Sequence, residues 1–397
     1  MFNYSKREKL IKPSAIRELA KLIQDPDIIS FAGGMPAPEL FPLEEMAMVS
    51  SDIIRKNGGN ALQYSATEGL LDLRKIIANR MNRFNVSCTE ENIIITNGSQ
   101  QGLAFSGKLF IDEGDVIICE NPSYIGALNA FRIFNPRIIG VSMDENGMLM
   151  DELAKTLKEY PQAKFIYTIP DFQNPTGVTL SAERKQTMIK LSEQYQVPII
   201  EDSPYLELNF NDGISFPIKS YDKTGNVIYL GSFSKTLCPG LRVGWILAPQ
   251  EVVKKYALIK QSVDLHTNTL SQMEIVEYVS RYNYDHHIME IRDLYRGRRD
   301  TMLKTMSAEF PDNIHWTKPQ GGMFIWVTLS ETMNATDVFN KALEKKVAFV
   351  PGDSFFLEGN VSNCFRLNYV TMDENRIIEG IKRLGQVLRG EEARKNV

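Results

Sequence analysis

Gly231-Ser232-Phe233-Ser234-Lys235-Thr236-Leu237-Cys238-Pro239-Gly240-Leu241-Arg242-Val243-Gly244-Trp245 is the stretch on which the reading of this chain turns. It sets one lysine, Lys235, among small hydroxyl residues, with Arg242 following. The apolar run Val227–Leu230 leads in and a second, Val243–Ala248, leads out. Such a lysine is a Schiff-base nucleophile, a phosphate ligand or a surface charge. A P-loop requires glycines where Tyr229 and Ser234 stand. A serine-hydrolase elbow requires a serine where Phe233 stands and a glycine where Lys235 stands. A solvated lysine has no need of Gly231, Ser232 and Ser234 before it, or of Arg242 after it, at the end of a buried strand.

Working outward, strand-like runs recur at Asn92–Thr96, Val116–Cys119, Ile138–Val141, Lys164–Thr168 and Val197–Glu201. Amphipathic stretches such as Asp151–Tyr160 and Ala182–Tyr195 separate them. Short apolar runs alternating with helices predict an α/β fold whose mostly parallel central sheet is covered on both faces. Helical patterning is also expected over Ser14–Gln24, Leu43–Lys56 and Gly69–Phe84. Beyond Ala248 the chain turns to long helices, Glu251–Gln261, Leu270–Tyr282 and His287–Phe310. It closes with a smaller α+β unit containing Met323–Leu329, Ala335–Lys345, Ala348–Val350 and Cys364–Tyr369. The expected organisation is an N-terminal segment 1–45 of the small, substrate-covering domain, a large domain 46–285 and a C-terminal small domain 286–397.

The 397 residues are 43% hydrophobic and 24% charged with a formal net charge of −4, a composition suited to a globular protein of two domains. Lysine and arginine are spread along the chain without a basic block, so small molecules are expected as partners, not nucleic acid. The four cysteines form no C-x-x-C pair, which argues against a zinc ribbon or disulfide framework. Met1–Lys12 has no apolar signal region, and no run approaches the ~20 apolar residues that span a bilayer. A cytoplasmic enzyme is expected. No histidine spacing suggests a metal site.

Three further stretches bear on chemistry. Thr96-Asn97-Gly98-Ser99-Gln100-Gln101-Gly102 ends a strand, turns on glycine and opens a helix, where free N–H groups and the helix dipole favour an anion. Asn174-Pro175-Thr176-Gly177 follows the strand Lys164–Thr168, beyond whose carboxyl end ligands of parallel sheets sit. An X–Pro bond here can be cis. Asp202 and Tyr205 follow the run Val197–Glu201, which places a carboxylate at a strand's end; Glu201 is read as a solvated charge. Each stretch alone is also an ordinary turn.

Taken jointly, Asn174-Pro175-Thr176-Gly177, Asp202 with Tyr205, and Ser232-Phe233-Ser234-Lys235 through Arg242 resemble the fold-type I aminotransferases dependent on pyridoxal phosphate. Gly321-Gly322-Met323-Phe324 and Phe365-Arg366-Leu367 extend the likeness over nearly the whole chain. Phe31-Ala32-Gly33-Gly34-Met35-Pro36, Leu62-Gln63-Tyr64-Ser65 and Gly98-Ser99-Gln100-Gln101-Gly102-Leu103 are most similar to the aminoadipate/kynurenine branch. The resemblance implies a Schiff-base Lys235 that also carries the substrate proton. It implies Asp202 on the pyridine nitrogen, and Asn174 and Tyr205 on the phenolic oxygen. Tyr124 would stack on the ring. Ser99, Gln100, Ser232, Ser234 and Arg242 would hold the phosphate, with Tyr64 reaching it from the second copy of a homodimer. Arg366 would grip the α-carboxylate. Gly33, Asn174, Tyr64 and Arg17 of the Ser14-Ala15-Ile16-Arg17 helix would also meet substrate.

What the resemblance implies in sum is transfer of an amino group from an aminoadipate-type, aromatic or branched-chain L-amino acid to 2-oxoglutarate. Other outcomes of the same cofactor chemistry, β-elimination or decarboxylation, stay open. The effector domain of an aminotransferase-like transcription regulator is a third reading. It is disfavoured because only the segment before Phe31 is available for a winged helix.

Overall fold

The structure is a computed structural model that describes residues 2–11, 25–211, 213, 215–359 and 361–395. The expected helix Ser14–Gln24, and Arg17 with it, lies outside the described residues.

A first strand, β1 (Ile29–Ser30), comes before an eight-stranded sheet. That sheet contains β2 (Ile93–Thr96), β3 (Val116–Asn121), β4 (Arg137–Asp144), β5 (Gly147–Met148), β6 (Ile166–Thr168), β7 (Ile199–Asp202), β8 (Val227–Ser232) and β9 (Gly244–Leu247). Its order is β2-β9-β8-β7-β6-β3-β4-β5. The inner pairs β4/β3, β3/β6, β6/β7 and β7/β8 are parallel, whereas β9 runs against both neighbours and β5 against β4. Every residue of β2, β6, β7, β8 and β9 is buried, as continuous apolar strands covered on both faces must be. Ile200, Tyr167 and Cys119 join the core on one face, and Ile199, Ile166 and Ile118 that on the other. Burying side chains of this size stabilises by about 1.5–3 kcal/mol each.

The helices are α1 (Leu43–Ala61), α2 (Leu71–Asn82), α3 (Ser99–Phe110), α4 (Ile125–Arg132), α5 (Met150–Glu159), α6 (Ala182–Tyr195), α7 (Gln250–Gln261), α8 (Thr269–Arg281), α9 (Tyr284–Glu309), α10 (Ala335–Glu344) and α11 (Glu374–Lys395). Asparagine caps open several: Asn268 accepts from the Ser271 N–H, Asn283 from His286, and Asn334 from Thr336 and Asp337. Of the boundaries that differ from expectation, two have a clear local reason. Gly69 takes φ +96°, outside the helical region, so α2 begins at Leu71. α1 continues past Lys56 to Ala61 across a break at Asn57 (φ −142°).

A second, antiparallel sheet has the order β10-β11-β14-β13, formed by β10 (His315–Trp316), β11 (Phe324–Thr328), β13 (Val350–Pro351) and β14 (Cys364–Asn368). β12 (Val347–Ala348) pairs in parallel with β1, which ties the segment ahead of Phe31 to the C-terminal part of the chain. All four cysteines are free thiols. Among the described residues, no helix is long and apolar enough to cross a membrane.

Candidate active site

The carboxyl ends of β2, β3, β6, β7 and β8 all feed one cavity of about 340 Å³, the place where parallel sheets expose loops to ligands. Ser99, Gln100, Tyr124, Asn174, Asp202, Tyr205, Ser232, Ser234, Lys235, Arg242 and Arg366 all line it. Gly34, not Gly33, lines it from the N-terminal segment. Tyr64 stands outside, 77% exposed, with its ring edge-on to His266 at 5.7 Å between centroids.

At one end lies a cup suited to an anion. Helix α3 opens at Ser99 behind Gly98, whose φ of +74° frees the first N–H groups of the helix. A Cβ on Gly98 would sit 2.6 Å from Arg242 Nη2, so glycine is what lets the guanidinium close on the helix end. Arg242 itself adopts a left-handed conformation (φ 56°) and makes only long bonds, 3.3 Å to the Pro239 carbonyl and 3.4 Å to that of Asn97. Ser232 Oγ accepts from the Ser234 N–H at 3.1 Å.

Also on the cavity lining, Asp202 is 2% exposed. Tyr167 donates to its Oδ2 at 3.1 Å, while Oδ1 is buried without a partner. Burial pushes the carboxyl up to about 7, and the Tyr167 bond opposes that rise. Tyr124 donates to Gln100 Oε1 at 3.3 Å, and the Gln100 amide donates to the Gly126 carbonyl at 2.8 Å.

Lys235 Nζ donates to the Gly34 carbonyl at 2.7 Å. Part of the side chain is open to solvent, yet dehydration of the amine pulls its pKa down to about 8, helped by the charges of Arg366 and Arg242. Arg366, on β14, is 1% exposed. Its Nη1 donates to Asn174 Oδ1 at 2.8 Å and its Nη2 to the Ala32 carbonyl at 2.9 Å, with Nε unpaired. The guanidinium lies over the Phe324 ring at 4.2 Å and beside Phe355 at 5.2 Å. Burial lowers its pKa to about 10, so it stays cationic at neutral pH. Asn174 also bonds Tyr205, whose phenol burial holds well above its ordinary range. The Asn174–Pro175 bond is cis, as is Asn121–Pro122.

Glu201 departs from the solvated charge expected of it. The carboxylate is fully buried, accepting the Ile218 N–H at 2.9 Å, the Lys219 N–H at 2.8 Å and the Ser203 hydroxyl at 3.3 Å. Adjacent residues of a strand face opposite sides of the sheet, so Glu201 points away from the side that Asp202 serves. Sequence reasoning also passed over Tyr167, Glu120 and Gln173. Glu120 closes the apolar run Val116–Cys119 as Glu201 closes the run before it, and that signal was available.

Comparison with known proteins places these features in a family. A model described as aminotransferase class I and II matches residues 27–384. The aromatic-amino-acid aminotransferase 1 of Thermococcus litoralis is 43% identical over 393 residues, 98% of this chain and 94% of that protein. The crystal structure of Pyrococcus horikoshii kynurenine aminotransferase, in complex with PMP, superposes with a TM-score of 0.94 at 40% identity, covering 98% of this chain and 97% of the other. The α-aminoadipate aminotransferase LysN of Thermus thermophilus, complexed with N-(5'-phosphopyridoxyl)-L-leucine, gives a TM-score of 0.92 at 40% identity and 98% coverage of each chain.

Proposed function

This chain belongs to the class I and II aminotransferases, a family of pyridoxal-phosphate enzymes, and we propose that it passes the amino group of an L-amino acid to 2-oxoglutarate in two half-reactions, in ping-pong order. One observation carries this reading: a single cavity holds an amine depressed to about 8 and a buried guanidinium with no acidic partner among the described residues. A buried charge without a counter-ion is costly, and a substrate carboxylate would relieve it.

The donor set suits pyridoxal phosphate, since the orphaned Asp202 Oδ1 would be satisfied by a cationic ring N–H and the Ser99–Arg242 cup by a phosphate. Bound there, the cofactor supplies an aldehyde that condenses with amines and a ring that takes up the electrons left when Cα loses its proton. Lys235 provides the attaching nucleophile, and its Nζ takes up the Cα proton. Asp202, steadied by Tyr167, would pair with the ring nitrogen and keep it protonated. Asn174 and Tyr205 would hydrogen-bond the phenolic oxygen, and Tyr124 would cover the ring face. Ser99, Gln100, Ser232 and Ser234 would hydrogen-bond the phosphate, and Arg242 would offset its charge. The exposed Tyr64 would reach the same phosphate in a second copy, making the working unit a homodimer.

Arg366 serves donor and acceptor alike, because both carry a carboxylate next to the reacting carbon. Using one clamp for both in turn is what a ping-pong order requires. Ile125, Ile169, Pro204 and Phe324 give the cavity apolar walls that favour apolar and aromatic donors. Lys235, Arg242 and Arg366 are the only basic residues of that described lining, and the resemblance offers Arg17 as the partner for an acidic side chain. The test is a donor screen on the loaded enzyme: its visible absorption should bleach with a true donor and return with 2-oxoglutarate. Arg17→Ala should raise KM for glutamate and aminoadipate and spare leucine; equal effects on all three would remove Arg17 from the site.

A further inference from the structure

Behind the cavity, on the face of the sheet that Asp202 does not serve, lies a second buried carboxylate that the reaction does not use. Glu120, near the end of β3, is 1% exposed. Its Oε1 accepts from the Thr168 hydroxyl. Its Oε2 accepts from the Ile169 N–H at 3.2 Å and from Gln173 Nε2 at 3.1 Å. Gln173, fully buried, also donates from Nε2 to the Pro122 carbonyl at 2.9 Å. Its Oε1 accepts the Thr176 N–H at 2.9 Å and the Thr176 hydroxyl at 2.8 Å. Both donor hydrogens and both acceptor lone pairs of the amide are therefore used.

The partners belong to two different loops. Pro122 lies in the segment Asn121–Tyr124, which carries the ring-stacking Tyr124. Ile169, Gln173 and Thr176 lie in the segment that carries Asn174, the residue that Arg366 grips. These loops follow β3 and β6, neighbours in the sheet, and nothing in strand pairing fixes the loops once the strands end.

We propose that Glu120 and Gln173 form a clamp that holds these two loops in one register, making both of them positioning residues for Tyr124 and Asn174. The inference rests on the aminotransferase reading for its catalytic consequence but not for the clamp itself. The bond inventory also says what the clamp needs from Glu120. Ile169 N–H and Gln173 Nε2 are obligatory donors, so the position needs an acceptor oxygen facing them. Thr168 can donate or accept, so an amide NH₂ can face it. Glu120→Gln can preserve every bond, whereas Glu120→Leu takes the acceptor from three buried donors, the Thr168 hydroxyl, the Ile169 N–H and Gln173 Nε2.

The test is hydrogen exchange on the loaded, full-length enzyme, followed over 121–126 and 168–177, alongside steady-state kinetics. Glu120→Leu should speed exchange by about tenfold in both segments together and lower kcat/KM by a similar factor. Glu120→Gln should restore both readouts. Gln173→Met cuts the bridge while leaving Glu120 with Thr168 and Ile169, and should loosen both segments even where Glu120→Leu fails to fold. Loosening of one segment alone, or a Glu120→Gln variant as impaired as Glu120→Leu, would overturn the clamp. The first outcome would show the loops to be independent, and the second would show that charge, not acceptor geometry, matters at Glu120. If the aminotransferase reading fails instead, the exchange coupling persists while the donor screen gives no bleaching.

Discussion

Glu201 and Asp202 are neighbours in sequence, close the same strand, and are both pushed up to about 7 by burial, yet their surroundings are opposite. Glu201 is saturated by two backbone N–H groups and a hydroxyl. Asp202 has one neutral donor on one oxygen and nothing on the other. The pleat alone separates them, since consecutive side chains leave a strand on opposite faces. A finished hydrogen-bond shell marks a structural carboxylate, and an unfinished one at a cavity marks a group that awaits a ligand.

That contrast can be broken most directly at Asp202. Asp202→Ala should lower kcat/KM by about 10²-fold or more, as loss of a preorganised electrostatic partner does. Turnover close to wild type would erase the distinction between the two carboxylates. Next in size is Arg366→Leu, which should raise KM for every amino acid by roughly 10²-fold, the scale of losing one partner of a buried charged pair. The same variant has a pH signature. The Arg366 charge holds the Lys235 pKa down, so its removal raises that pKa from about 8. The rate at which stripped enzyme captures cofactor should then need a more alkaline pH to reach half its maximum.

Tyr167→Phe should be milder, weakening cofactor affinity about tenfold through loss of one bond to a charged group. Because that bond lowers the Asp202 pKa, the variant's deficit should be larger near about pH 7 than near about pH 9, where the carboxylate is ionised in either protein. A cofactor titration at both pH values checks this, and a deficit independent of pH would make Tyr167 a packing residue only. Smallest in its effect on rate is Glu201→Gln. It should leave kcat/KM unchanged while lowering stability by about 1–3 kcal/mol, because an amide turns one donor toward a backbone N–H. Denaturant unfolding and a rate assay separate the two quantities.

The same pair shows what the sequence could convey. Continuous apolar runs announced the strands, because a sheet covered on both faces leaves few polar positions. Polar residues at or just past the carboxyl ends of those strands, Lys235, Asp202, Asn174 and Ser99 among them, converge on one cavity, where Arg366 joins them from the middle of β14. What sequence could not convey was which distant segment covers each group. Glu201 is buried by the turn at Ile218–Tyr221, whose N–H groups arrive from well along the chain. Gly34 replaces Gly33 at the cavity because a one-residue shift in an irregular segment follows no period. Glu120 was legible as a carboxylate closing a strand, but its partner Gln173 lies in a loop whose path only the fold defines.

Arg366 lies in the antiparallel sheet and Lys235 in the loop between β8 and β9 of the large one, and the Gly34 carbonyl that holds the lysine comes from far N-terminal of both in the chain. During refolding the cavity therefore cannot exist until contacts between residues very distant in the chain have closed, the slowest kind for a polypeptide to form. Formation of the cavity should follow the final docking of the two sheets, whereas recovery of helical signal should follow only the assembly of each part.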